Sequence, residues 1–466
     1  MSVTAHGTPL DLATRTLALS DGADQTQVTI TREGSLLSRF AVSRPTQATR
    51  VDDMGVHVLT IRDGHVGAAE TNDLSDDALR GVVARAASAA DAARRAAGAA
   101  PGEHPGLPEP PPAYRAHHGL DPATTRLDPA VAGDALRAAF ERCAAAGLEA
   151  FGAWTAGRVT TAIASSTGIA ASDDVTDAYL KVIARDPRTG RSGWGAGMAT
   201  GIGGIGVEAI VARAVGKVAR EAPVDLPAGE YPVVLEADAV GSLLDMLASV
   251  AFNGLAHAEG RGALVDRLGT RVAASAVNLS DSPRFTRTLP RAFDAEGVAK
   301  APVPLIQDGI AHRIVHDTRS AARAGGGATS TGHAVAPGGS PYGPHATNLV
   351  LIGGGAADEA ELCLPIERGL YVTRLWYLNV VHERSALLTG TSRDGTFLIE
   401  DGRITRPVRD VRFTDSPLRI LEATEALGAR QQLVGDAEFY GRRFASGVVC
   451  PPLRAHGFRV TGATVA

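Results

Sequence analysis

A chain of 466 residues is long for a single hydrophobic core, so two or three domains are expected. Hydrophobic residues at 44% and charged residues at 21% exclude an extended disordered chain. A net charge of -5 argues against a general nucleic-acid binder, whose surface has to offset phosphate. Lysine occurs only at Lys181, Lys217 and Lys300, which leaves the basic character to arginine. Cys143, Cys363 and Cys450 are scattered and form no CxxC pair, so neither a disulfide framework nor a zinc ribbon is expected.

The opening stretch MSVTAHGTPLDLATRTLALSDGADQ has no basic start followed by an apolar run, so no secretory leader is read and a cytoplasmic setting is expected. Residues 24–62 alternate apolar and polar side chains, as in Gln27-Val28-Thr29-Ile30 and Gly55 to Ile61, which predicts half-buried strands. At Ser75 the period changes. Ser75 is a helix cap, Asp76 and Asp77 supply an acidic first turn, and the Ala/Arg-rich stretch to Ala97 is helical. Pro101, Pro105, Pro108 and Pro110 to Pro112 mark a linker. Asp128 to Ala145 reads as an amphipathic helix, and Phe151 to Arg185 as strands with turns at Gly157 and Gly168. Gly206 to Glu221 is predicted as a helix ended by Pro223.

From Gly229 the texture changes. Tyr231 to Leu235 is a strand and Ala239 to Phe252 a helix, interrupted by Asp245 and too short to span a bilayer. Beyond about residue 260, short β-type segments alternate with Gly, Pro and Asp turns. The expected fold class is α+β. An α/β region over 1–100, a Pro-rich linker over 101–120 and a central α/β region over 121–225 form the N-terminal part. A β-rich, barrel-like domain follows over 226–466.

Several constellations could carry chemistry. Gly201-Ile202-Gly203-Gly204-Ile205-Gly206 satisfies GxGxxG, but Ser192 to Met198 before it is Gly-rich and a poor central strand, so a flexible connector is the better reading. His257 and Glu259 give one imidazole and one carboxylate where a zincin needs two histidines on one helical face, so a loop histidine beside a solvated Glu is expected. Asp294 and Glu296 could bind a metal or share a proton, although in a turn closed by Gly297 they are read as solvated. His312 and His316 fall on a strand-like stretch, Ile310 to Val315, at a spacing too long to share a metal; with His333, His345 and His382 they are read as surface or hydrogen-bonded histidines. Ser330-Thr331-Gly332-His333 and Thr391 to Thr396 contain hydrolase-type side chains, but the chain has no G-x-S-x-G elbow.

An ordered set of segments resembles the TldD/PmbA (TldD/TldE) family over nearly the whole chain. They are GHVGAAETNDLSDDALRGVVARAASAADAAR (64–94), SSTGIAAS (165–172), GEYPVVLEADAVGSLL (229–244), RAFDAEGVAKAPVPLIQDGI (291–310), STGHA (330–334), GLYVTRLWYLNVV (369–381) and TGTSRDGTFLIEDGRITRPVRDVRFTDS (389–416). The resemblance implies a two-chain zinc peptidase acting on small unfolded peptides, including peptide-antibiotic precursors, with the metal held by an HExxxH helix and a C-terminal Cys of the TldD-like chain. In this sequence Asp245, Met246 and Val250 occupy the HExxxH positions, and methionine and valine cannot serve as base and nitrogen ligand. Cys450 lies near where the further ligand would come, and a lone Cys there reads as a small buried hydrophobe. The resemblance therefore points to the TldE/PmbA side. It implies a non-catalytic subunit with no cofactor of its own, zinc in an HExxxH-bearing partner and a peptide substrate; the net charge and the lack of a spanning segment leave neither nucleic acid nor membrane as an expected partner. The alternatives are an independent hydrolase using His257, Glu259, Asp294, Glu296, His333 or Cys450, and a homodimeric peptide-binding protein.

Overall fold

Thr8 caps the first helix, α1 (Pro9–Leu17), by a reciprocal pair of bonds with Asp11, and Pro9 supplies a preset first turn. The computed structural model describes residues 7–22, 24–437 and 441–463, so the first six residues of the stretch read for a leader lie outside it. After α1 come β1 (Gln25–Ala41), β2 (Arg44–Arg62), β3 (His65–Thr71), α2 (Asp76–Ala97), α3 (Pro129–Ala145), β4 (Glu149–Ser165), β5 (Ala170–Arg185), β6 (Ser192–Ala199) and α4 (Val207–Gly216). The six strands form one antiparallel sheet, ordered β3-β2-β1-β4-β5-β6.

Alternation along the strands gives this sheet two different faces. Val28, Ile30, Leu36 and Phe40 on β1, with Trp154, Ala156, Ala162 and Ala164 on β4, are buried under the four helices. The intervening positions carry Thr29, Thr31, Thr155, Thr161 and Asp177. That polar face looks toward the C-terminal part of the chain.

Two expectations for this sheet are corrected. Gly157 is no turn; it sits inside β4, opposite Ser35 and Asp177, where a Cβ would lie 2.4 Å from Arg443 Nε. The stretch over 192–198, a poor central strand by its sequence, forms the edge strand β6, and glycine is required there by the close approach of α4. A Cβ at Gly193 or Gly195 would lie 2.2 Å from Ala214 O or 2.1 Å from Ile210 O. The Gly201–Gly206 run does connect β6 to α4, as a single 3-10 turn (Ile202–Gly204) tied to Thr124 by a 2.9 Å bond from Ile202 N, so it is fixed rather than flexible. Helix α4 ends at Gly216, before the expected Glu221.

The C-terminal part contains β7 (Gly229–Leu235), α5 (Ala237–Val250), α6 (Gly254–Ala258), β8 (Leu279–Asp281), β9 (Val303–Gln307), β10 (Ile310–Ala311), α7 (Thr318–Ala324), β11 (Leu349–Leu351), α8 (Glu359–Cys363), β12 (Arg368–His382), β13 (Leu387–Glu400), β14 (Arg403–Pro407), β15 (Val411–Asp415), α9 (Pro417–Glu422), β16 (Thr424–Leu427), β17 (Gln432–Val434), β18 (Val448–Cys450) and β19 (Leu453–Ala463). Strands β12-β7-β19-β15-β13 close into a barrel through the β12–β13 pairing. A second sheet runs β10-β9-β8-β11-β18-β17. Helix α5, two residues earlier at both ends than its sequence suggests, lies among these strands with Leu243, Leu244 and Leu247 in the main core. The fold is α+β with a barrel-like C-terminal part, as expected. Among the described residues no helix is long and apolar enough to cross a membrane.

Candidate functional site

A cleft of about 360 Å³ opens where α5 faces β6, β12 and the segment leading into β18. Trp194, Asp238, Ser242, Asp245, Met246, Arg374, Trp376 and Tyr377 form much of its wall. Its inner end is polar and buried. Asp238 accepts from Trp194 Nε1 at 3.1 Å and lies 3.5 Å from Arg213; burial pushes its carboxyl up against the opposing pull of that guanidinium. Arg374 stacks 3.9 Å over Trp194 and 5.0 Å over Trp376, and pairs with Asp394. Asp394 also accepts from Ser192 Oγ at 2.5 Å, so the TSRDG segment ties the barrel to the edge of the N-terminal sheet. Behind the cleft, Glu236 at the head of α5 takes Lys217 Nζ at 2.5 Å and the Tyr371 hydroxyl. The outer rim is apolar and open: Trp376 is 41% exposed and Tyr377 76%.

The three positions of interest on α5 diverge. Asp245 is exposed and meets His345 Nε2 at 3.2 Å, Met246 lines the cleft, and Val250 is buried in the core. Cys450 is fully buried, with Sγ 3.3 Å from Ala237 O, and burial pushes its thiol well up, opposite to what a metal ligand needs. A carboxylate, a thioether and an alkyl group are not a zinc donor set. Among the described residues no three His, Cys, Asp or Glu side chains are grouped to hold a metal. The residues present do not fit a catalytic zinc.

The other candidates lie elsewhere. His257 belongs to α6 rather than to a loop, with Glu259 as its C-cap, exposed and paired with Arg261. His312 and His382 are exposed. The Ile310 to Val315 strand shrinks to the two residues of β10, because the chain turns away after Ala311, and His316 is buried just ahead of α7.

Asp294 and Glu296 are corrected most. They are buried, at 7% and 1% exposed, because the turn folds under Ala334 and α7. Asp294 accepts from the N–H groups of Glu296, Val298 and Ala334; burial still outweighs these bonds and pushes its carboxyl up to about 6. Glu296 Oε2 accepts from Thr318 N and Oγ1, while Oε1 has no hydrogen-bond partner among the described residues; burial and then Asp294 push this carboxyl up to about 8. His333 is buried too, at 1% exposed, with Nδ1 3.0 Å from Thr331 Oγ1 and Nε2 3.2 Å from Asp281 but out of line for a hydrogen bond. Asp281 and Lys300, which the sequence reading did not select, complete this cluster at 3.5 Å.

The raised Glu296 group has a stability consequence. The folded state holds its proton to about 8 while the unfolded state releases it near ~4.3, so the contribution is complete below that lower value and is lost as pH rises through about 8. Glu296→Gln, which fixes the neutral form, is expected to flatten the decline in unfolding free energy between pH 5 and 8. Urea titrations across that range check it; an unchanged slope would refute the assignment.

Two family models match the chain: the PmbA/TldA metallopeptidase C-terminal domain over residues 228–462 and PmbA/TldA metallopeptidase domain 1 over residues 30–90. The chain belongs to the PmbA/TldD family. It is 25% identical over 240 residues to the metalloprotease TldD homolog of Haemophilus influenzae, covering 51% of this chain and 49% of that one. A metalloprotease of Methanothermobacter thermautotrophicus is 24% identical over 44% of each chain. The matched region thus spans about half the length of these curated relatives. The structure of TldE from Thermococcus kodakarensis superposes with a TM-score of 0.80 at 19% identity, over 97% of this chain and 99% of that one, and shows the same fold. In this PmbA/TldD chain the cleft beside α5 lies within the segment matched by the C-terminal family model, apart from Trp194 and Tyr179.

Proposed function

We propose that this chain is a TldE/PmbA-like subunit of a TldD/TldE-type zinc peptidase complex, that it does no chemistry itself, and that it encloses small unfolded peptides. The single observation that carries the reading is α5, which offers Asp245, Met246 and Val250 where a metal-bearing relative needs His, Glu and His. The cleft beside it remains suited to a peptide. Trp376 and Tyr377 present an open apolar rim, and the pinned Arg374 and Asp238 give a fixed polar floor. Strand addition along the outer half of β12, beyond Val372 where its pairing with β7 ends, would let an extended segment use main-chain bonds without sequence preference. Zinc then belongs to an HExxxH-bearing partner in a cytoplasmic heterodimer.

The test is reconstitution. The purified chain is expected to hold no stoichiometric zinc by elemental analysis and to leave a flexible fluorogenic peptide intact, with cleavage appearing on mixing with an HExxxH-bearing chain. Peptidase activity in the isolated chain, or one tightly held zinc per chain, would instead establish an independent hydrolase.

A further inference from the structure

A second cavity, of about 270 Å³, lies between the polar face of the N-terminal sheet and the loops over 291–295, 332–337 and 442–444 of the C-terminal part. At roughly 30 Å³ per water it has the space of about nine waters, which suits a small organic molecule rather than a drug-sized one. Its wall combines an apolar body, including Phe293 and Phe444, with four cations, Arg291, Lys300, Arg442 and Arg443, of which Arg442 pairs with Glu70 and Arg443 with Asp177.

The cations are not evenly satisfied. Lys300 is 4% exposed, lies 3.5 Å from Asp281 and donates to Thr347 Oγ1 at 3.1 Å. Arg291 has no carboxylate within ion-pair distance among the described residues. Its guanidinium stacks 3.9 Å over Phe444 and, among the described residues, gives one hydrogen bond, from Nη2 to Ala445 O at 2.7 Å, out of the five N–H groups it carries. Burial and, further down, the Arg291 charge both disfavour the charged form of Lys300, so the two cations repel across the cavity. The carboxylates nearby answer this only in part, since Asp173 and Asp177 favour the charged Arg291 without pairing with it and their hydrogen bonds go elsewhere. Asp173 is committed to His117 and Ala292 N, and Asp294 to three backbone N–H groups. His333 lines the same space with Nε2 buried and without a hydrogen-bond partner. A desolvated cation with spare donors beside an apolar wall calls for an anion that carries an apolar group.

We propose that this cavity binds a carboxylate attached to a small apolar body, with the carboxylate at Arg291 and the apolar group against Phe293 and Phe444. The same chemistry can come from a free acyl amino acid or from the C-terminal residue of a peptide. The site is separate from the cleft beside α5 and does not rest on the subunit reading above.

The experiment titrates the full chain, by calorimetry, with N-acetyl-leucine, its carboxamide and an N-acetylated tripeptide ending in leucine. Saturable binding of the acid with none of the amide is expected. Arg291→Gln is expected to weaken acid binding on the order of tenfold to a hundredfold, as for loss of a charge-assisted bond. Binding of the tripeptide acid identifies peptide C-termini as the source; its exclusion identifies free acids. Equal binding of acid and amide, no binding of the acid, or unchanged affinity in Arg291→Gln overturns the proposal. The acid-against-amide comparison uses the unaltered protein and so decides the matter even where the variant does not fold.

Discussion

Arg443→Met is expected to lower unfolding stability by about 3–5 kcal/mol, the cost of leaving a buried charge without its partner. Arg443 is 4% exposed and reaches from the C-terminal part into the polar face of the N-terminal sheet. There Nε and Nη2 bond both oxygens of Asp177 at 2.8 and 2.5 Å, Nη1 bonds Thr155 Oγ1 at 2.9 Å, and its own N–H bonds Glu33. Gly157 provides the floor on which the guanidinium lies. The substitution strands Asp177, itself 3% exposed, in the interface between the two parts. Pairing it with Asp177→Leu is expected to recover much of the loss, since an apolar pair of similar volume avoids both desolvation costs. Denaturant unfolding of the single and double variants checks this, and a loss below about 1 kcal/mol for the single variant would place Arg443 among ordinary surface contacts.

A comparable loss, again about 3–5 kcal/mol at neutral pH, is expected for Lys300→Met. Burial alone would raise the Asp281 carboxyl, but Lys300, His333 and the Asn348 N–H overcome it and hold the group well below the usual carboxylate range. A carboxyl depressed in the folded state stabilises above its unfolded value near ~3.9 and loses that contribution as pH falls through the lower folded value. Lys300 itself is pushed down, so its own desolvation works against the pair; the fully buried carboxylate with a backbone bond sets the net direction. Without the ammonium, burial dominates Asp281 and the sign reverses: the variant gains relative stability as the pH is lowered toward 4. The defect is therefore expected to be greatest at neutral pH and to shrink in acid. Urea midpoints at pH 4.5 and 7.5 measure it, and an equal defect at both would show that lost packing, not charge, is responsible.

The parts of the fold readable from sequence were those set by neighbours in the chain. Ser75 caps α2 where its side chain predicted, accepting from Ala78, and α3 starts one residue after the expected Asp128, which caps it by accepting from Ala130. The alternation of β1 and β2 follows from period alone. Helix α1 was missed although Thr8, Pro9 and Asp11 form a local signal. Glycines misled the reading because their reason lies far away: Gly157 makes room for Arg443, and Gly193 and Gly195 for α4. The same limit applies to chemistry. Position for position, α5 could be read as poor in metal donors, whereas the burial of Asp294, Glu296 and His333 depends on the packing of the C-terminal loops against the N-terminal sheet. Asp281, Lys300 and Arg291 carry no local pattern; Lys300 and Arg291 come into view through the cavity they line, and Asp281 through its 3.5 Å contact with Lys300.

The barrel also has consequences for biosynthesis. Strand β7 pairs with β12 on one side and β19 on the other, and both are translated long after it. At a ribosomal rate of about 5–20 residues per second, on the order of ten to forty seconds separate the emergence of Leu235 from that of Leu453. Through that interval the N-terminal sheet, whose strands are neighbours by hairpin or by β1–β4 pairing, already has its full complement, while Tyr231 to Leu235 waits with both ladder edges uncovered until β12 emerges and with one uncovered thereafter. Nascent chains stalled before Leu453 should accordingly protect the first sheet from protease and engage holdase chaperones through the unfinished second half.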